Sequence, residues 1–139
     1  YKLRIYGSGS RYEDIKKMES ENIIVNPYTD RSEILKQTKN STFALVSLSS
    51  SLTVEGFPGK TFDYLKMNKI LIGYSNPLSG LARFIEKYKV GINIDPENPN
   101  IDSALKDLKN LDEIYQNIED VNLKYANLNT VSQQYLNLL

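Results

Sequence analysis

The chain has 139 residues, a length that suits one domain built around one core. Apolar residues make up 40% and charged residues 24%, and 17 basic side chains balance 17 acidic ones, so no net field favours nucleic acid or a membrane surface. Cysteine and histidine are both absent, which excludes disulfides and thiolate metal sites and argues against serine–histidine or zinc hydrolysis.

No apolar run approaches the roughly 18 residues of a membrane span, and no signal peptide is visible. The chain opens on a strand-like segment without Met and reads as an excised piece of something longer. Leu3 to Tyr6 is a first strand, running into Gly7-Ser-Gly-Ser10, and a polar helix is expected from about Tyr12 to Ser20. Asn22 to Asn26 is a second strand, stopped by Pro27. Asp30 looks like an N-cap, with Glu33 three residues on as a capping box for a helix from Ser32 to Lys39.

Phe43 to Leu48 is a third, mostly apolar strand, and a helix follows from about Gly59 to Asn68. Lys69 to Tyr74 is a fourth strand, Leu78 to Lys87 a helix, and Val90 to Ile94 a fifth strand closed by Asp95-Pro96. Ile101 to Leu108 and a long amphipathic tail complete the chain. In that tail Leu111, Ile114, Tyr115, Ile118, Val121, Tyr125 and Leu128 recur every three or four residues, as on one helix face. Five alternations of strand and helix require crossover connections. The expected fold is α/β: a three-layer open parallel sheet, Rossmann-like, of about five strands with C-terminal helices.

Ligands of such sheets bind beyond the carboxyl ends of the strands. Two loops there are rich in small polar residues, Gly7 to Ser10 and Ser47 to Gly59. In the second, "VEGFPGKTFDYL" sets two carboxylates, Glu55 and Asp63, on either side of a glycine-proline turn and Lys60. A helix start offers free N–H groups to an anion, Lys60 adds a full charge, and an acid one turn in can accept from a sugar diol. This order reads as a nucleoside-phosphate site, with ribose on Asp63 and Glu55 facing what lies beyond the phosphates. Gly7-x-Gly9 lacks the third glycine of a dinucleotide fingerprint, and Asn26-Pro27 stands where that fingerprint wants an acid. Ser49 to Ser51 also reads as a plain loop, and Tyr12 and Tyr28 as packing residues.

Glu55 to Asp63 resembles the E-x7-E motif of retaining glycosyltransferases of the two-Rossmann-domain (GT-B) type, the glycosyl transferases group 1. Gly56 to Ile72 is similar to the variant that reads roughly Gly-Ile-Pro-Ser-Lys-Leu-x-Glu-Tyr-Met-Ala-x-Gly-Lys-Pro-Val-Ile. "LRIYGSGS", "NIIVNPYTDRSEILKQT" and "KVGINIDPENP" look like the family's flanking strands and turns, in the same order. The resemblance implies the C-terminal, donor-binding half of a sugar-nucleotide-dependent enzyme, with residues 1–139 as one domain. It assigns the catalytic place, at the donor sugar, to Glu55 and the ribose to Asp63. Gly59 and Lys60 would cradle the diphosphate, Tyr28 would lie near the base, and Gly7, Ser8, Gly9, Gly56, Phe57, Pro58 and Thr61 would complete the site.

Three departures stand out. The second acid is Asp63 where the family has Glu, and Asn68 and Ile70 replace Gly and Pro. The family's first strand of this domain, with the Gly-Arg and Lys that grip the diphosphate, is absent, as is the N-terminal acceptor domain. Without that strand the order 3-2-1-4-5-6 becomes 2-1-3-4-5, the flavodoxin-like order.

The implied substrate is a UDP- or GDP-sugar. The implied acceptor is a glycan or lipid-linked molecule held by the absent domain, in bacterial surface polysaccharide or glycan biosynthesis. No cofactor or metal, no nucleic acid and no membrane span are expected. The implied location is cytoplasmic, with any contact to the inner face of the membrane left to the absent part. Alone, this chain would bind donor weakly and turn over nothing. The alternative is a non-catalytic flavodoxin-like module binding a nucleotide or flavin. For a phospho-receiver the acids are missing, since Gly7-Ser8 and Ser47-Leu48 stand in their places. The tail helix reads as a docking element or, as in the family, as packing on its own domain.

Overall fold

The computed structural model describes residues 1–126. The expected apolar position Leu128 lies outside them. The elements run β1 (Leu3–Tyr6), α1 (Tyr12–Lys16), β2 (Ile23–Asn26), α2 (Arg31–Lys39), β3 (Phe43–Ser47), α3 (Lys60–Lys66), β4 (Ile70–Tyr74), α4 (Gly80–Tyr88), β5 (Gly91–Ile94), α5 (Ile101–Asp107) and α6 (Leu111–Val121), followed by a π-helical turn, Asn122–Ala126. The fold is α/β with parallel strands of the Rossmann-like class.

The strands form two sheets, β1-β2 and β3-β4-β5, where one five-stranded sheet was expected. The neighbour pairs 2-1, 3-4 and 4-5 of the expected order are all present and all parallel. Apolar patterning marks a segment as a strand, but which edges meet is set by ladder bonds between distant residues. Two compact units result, Tyr1–Asn40 and Ser41–Leu139.

In the first unit Val25 is the buried apolar residue, and polar bonds do much of the holding. Lys16 Nζ donates to the Val25 carbonyl at 3.0 Å, and Val25 N–H donates to Glu19 Oε1 at 3.0 Å. Lys16 and Glu19 also pair at 2.7 Å. Helix α1 stops short of the expected Ser20 because Ser20 is drawn into the next turn. Its N–H and carbonyl bridge Ile23, and its Oγ accepts from the N–H groups of Asn22 and Ile23. At α2 the expected capping box is not made: Asp30 stands at the N-cap without a side-chain bond, and Glu33 accepts from Gln37 at 2.8 Å instead.

The second unit carries the core: Val46 of β3, Leu65 of α3, Ile70 and Leu71 of β4, Leu81 and Ile85 of α4, Val90, and Ile118 and Val121 of α6. β4, the central strand, buries both faces near its start, whereas β3 alternates, with Ala44 and Val46 inside and Leu45 and Ser47 exposed. Gly91 opens β5 at φ 158°, and a Cβ there would overlap the Leu71 carbonyl, so only glycine lets this edge close on β4.

Helix α3 ends in a Schellman motif. Asn68 N–H donates to the Leu65 carbonyl at 2.8 Å and Lys69 N–H to the Tyr64 carbonyl at 3.0 Å, with Asn68 at φ 54°. Asparagine is the residue after glycine that best tolerates this conformation. Helix α6 packs on its own unit through Ile118 and Val121, and Asn122 Nδ2 donates to the Leu65 carbonyl at 2.8 Å.

Candidate functional site

The second unit positions its loops at the carboxyl ends of β3, β4 and β5. After β3, Leu48 N–H extends the ladder to the Tyr74 carbonyl at 2.9 Å. The serine run then folds into a turn, with Leu52 N–H on the Ser49 carbonyl at 3.0 Å and Ser49 Oγ 2.9 Å from Ser51 Oγ. Asn76, between β4 and α4, ties this turn down by donating to the Ser50 carbonyl at 2.9 Å.

The segment from Val54 to Pro58 leans on the first turns of α4. Gly80 N–H donates to the Val54 carbonyl at 2.9 Å, and the Glu55 carbonyl occupies the space a Cβ on Gly80 would need. Glu55 Oε1 lies 2.5 Å from Arg83 Nη2, in an exposed pair whose side chains keep 85% and 48% of their surface. Phe57 anchors the loop from the other side, its ring 4.9 Å from Phe84 and 5.7 Å from Phe62 between centroids. The phenyl group of Phe57 therefore serves packing, and Phe84 continues the stack to Tyr88 at 4.9 Å.

The first amides of α4 are taken up by the protein itself. Gly80 N–H is on Val54, and Ala82 N–H is on the N-cap Ser79 Oγ at 3.1 Å. At α3 the Thr61 and Phe62 amides bond to the carbonyls of Pro58 and Gly59, each at 3.0 Å, while Gly59 and Lys60 are exposed with no backbone bond from their N–H groups among the described residues. Thr61 is fully buried, and among the described residues its hydroxyl has no partner. Asp63 is half-buried in the first turn of α3. Burial pushes the Tyr64 phenol above its ordinary value of 10.0, and the neighbouring Asp63 charge adds to that rise.

A scan against protein-family models, a search of curated proteins and a search of solved structures each return no match to this chain.

Of the residues singled out in the sequence, Glu55, Gly56, Phe57, Pro58, Gly59, Lys60, Thr61 and Asp63 follow one another from the loop into α3 in the second unit. Gly7, Ser8, Gly9 and Tyr28 lie in the first unit, at the carboxyl ends of β1 and β2. There Gly7 N–H donates to the Asn26 carbonyl at 3.2 Å, and Tyr28 is 68% exposed. Sequence reasoning missed Gly80, Arg83 and Phe84. Arg83 sits 28 positions from its partner, so no local pattern announces it.

A cavity of about 350 Å³ opens at the other end of α4, lined by Lys87, Tyr88, Lys89, Asn117 and Lys124 among others. It lies away from the strand ends. Lys87 in the last turn of α4 and Lys89 just past its end stand where the last carbonyls of that helix favour cations. Among the described residues no group of three or more acidic side chains is placed to hold a metal, and no helix is long and apolar enough to cross a membrane.

Proposed function

We propose that this chain forms the donor-binding part of a glycosyltransferase that transfers a sugar from a nucleotide-sugar to a hydroxyl acceptor. The observation that carries the reading is the run from Glu55 to Asp63 at the carboxyl end of β3. It contains an acid seated on α4, two exposed amides with the Lys60 charge, and a second acid one turn into α3. In this reading Asp63 accepts from the ribose hydroxyls and Glu55 from a hydroxyl of the donor sugar. As the glycosidic C–O bond breaks, the charge of the departing nucleoside diphosphate falls near Gly59 and Lys60, whose amides and ammonium group oppose it. The acceptor oxygen takes the anomeric carbon, and its proton passes to an oxygen of the departing diphosphate. A UDP- or GDP-sugar is the proposed donor, for glycan synthesis.

Calorimetric titration of the chain with UDP, GDP, ADP and FMN, repeated on Asp63→Ala, tests the reading. A uridine or guanosine nucleotide should bind, and the substitution should weaken it about tenfold or more, the loss of one charged hydrogen-bond acceptor. Binding of FMN alone would replace the reading with a flavin-carrying module. Silence with all four would count against a nucleotide site in this chain.

A further inference from the structure

We infer that Arg83 is the positioning residue for Glu55, holding the carboxylate where a donor-sugar hydroxyl meets it; this rests on the nucleotide-sugar reading of the site. The loop from Leu52 to Pro58 has no regular structure, and Glu55 is one of its most exposed side chains. A carboxylate on such a loop samples many rotamers unless something stops it. Three contacts restrain this one. The Gly80 N–H fixes the backbone at Val54, the absent side chain of Gly80 lets the Glu55 carbonyl settle onto α4, and Arg83, one turn further along the same helix, takes the carboxylate.

The geometry suits orientation rather than neutralisation. Arg83 bonds Oε1 through Nη2, and among the described residues Oε2 has no partner. One oxygen is thus fixed, and the other stays open to accept from a hydroxyl. The guanidinium is rigid and always charged, so it holds a carboxylate in one plane better than an ammonium does. The pair is exposed and adds little to global stability. Its effect is local order of the loop, sensitive to salt.

The test compares amide hydrogen exchange across residues 52–58 in the wild-type chain, Arg83→Gln and Arg83→Lys, at low and high sodium chloride, with UDP- and GDP-sugar titrations of the same three. The inference expects Arg83→Gln to raise exchange about two- to fivefold, as loss of an exposed ion pair allows. It also expects the salt dependence to vanish, donor affinity to fall, and Arg83→Lys to restore part of each. Exchange equal in wild type and Arg83→Gln overturns the inference. So does altered exchange with donor affinity unmoved. If the wild-type chain binds no nucleotide-sugar while exchange still depends on Arg83, the donor reading fails and the seating of the loop stands.

Discussion

Asn93 on β5 and Ser75 at the end of β4 are bonded in both directions: Ser75 Oγ donates to Asn93 Oδ1 at 2.8 Å, and Asn93 Nδ2 donates to the Ser75 carbonyl at 2.9 Å. Because the Ser75 proton is committed to Asn93, the 2.9 Å contact between Ser75 and Ser79 must be donated by Ser79. Ser79 Oγ in turn accepts from Ala82 N–H as the cap of α4. One polar chain therefore links the carboxyl ends of β4 and β5 to the helix that carries Gly80 and Arg83. Ser79→Ala should cost about 1–2 kcal/mol, since it removes the cap and one buried bond at once. Urea denaturation measures it.

Gly80→Ala should cost about 1–3 kcal/mol, as a methyl group forced into filled space does. The added Cβ meets the Glu55 carbonyl, so the loop must lift from α4. Faster amide exchange across residues 52–58 than in wild type is the expected sign, and unchanged exchange would place the loop elsewhere.

Thr61→Val should raise stability by about 1 kcal/mol. The Thr61 hydroxyl is buried without a partner among the described residues, and a methyl of similar size has no polar group to satisfy. A rise in thermal midpoint is the readout.

Asn68→Val should cost about 1–2 kcal/mol, because a β-branched residue is forced to φ 54° at the end of α3, while Asn68→Gly should be tolerated. Thermal midpoints of the two variants should separate clearly.

Acid should loosen the first unit. The hydrogen bond from Lys16, and then that from Val25 N–H, hold the Glu19 carboxyl below its ordinary value of 4.5. A carboxyl depressed in the folded state contributes stability above that ordinary value and loses it as pH falls through its folded value. Glu19→Gln should flatten the pH dependence of β1-β2 amide protection below pH 4.5. An unchanged slope would show the contribution to be absent.

The strands were legible as short apolar segments bounded by Gly, Pro and polar residues, and each lies within a residue of its expected place. The helices after β3 and β4 were legible through their Gly and Pro starts. Helix α1 was overestimated because Ser20 prefers its own turn, and the box at Asp30 failed because Glu33 had a partner one turn on. Both are competitions between neighbours of similar energy, which a pattern does not rank.

Sequence by itself determined the α/β class, the parallel pairing of neighbours and the order of acids, glycines and lysine from Glu55 to Asp63. Local propensity and apolar periodicity act within a dozen residues and mark the elements, and their strict alternation forces crossover connections and hence parallel strands. Only the tertiary structure decided that the five strands pair as two sheets, that Phe57 turns into an aromatic stack, that Thr61 is sealed in the core, and that Glu55 rests on Gly80 and Arg83. Each of these depends on contacts between segments far apart in the chain, whose meeting is set by packing the whole core and not by any one stretch of it.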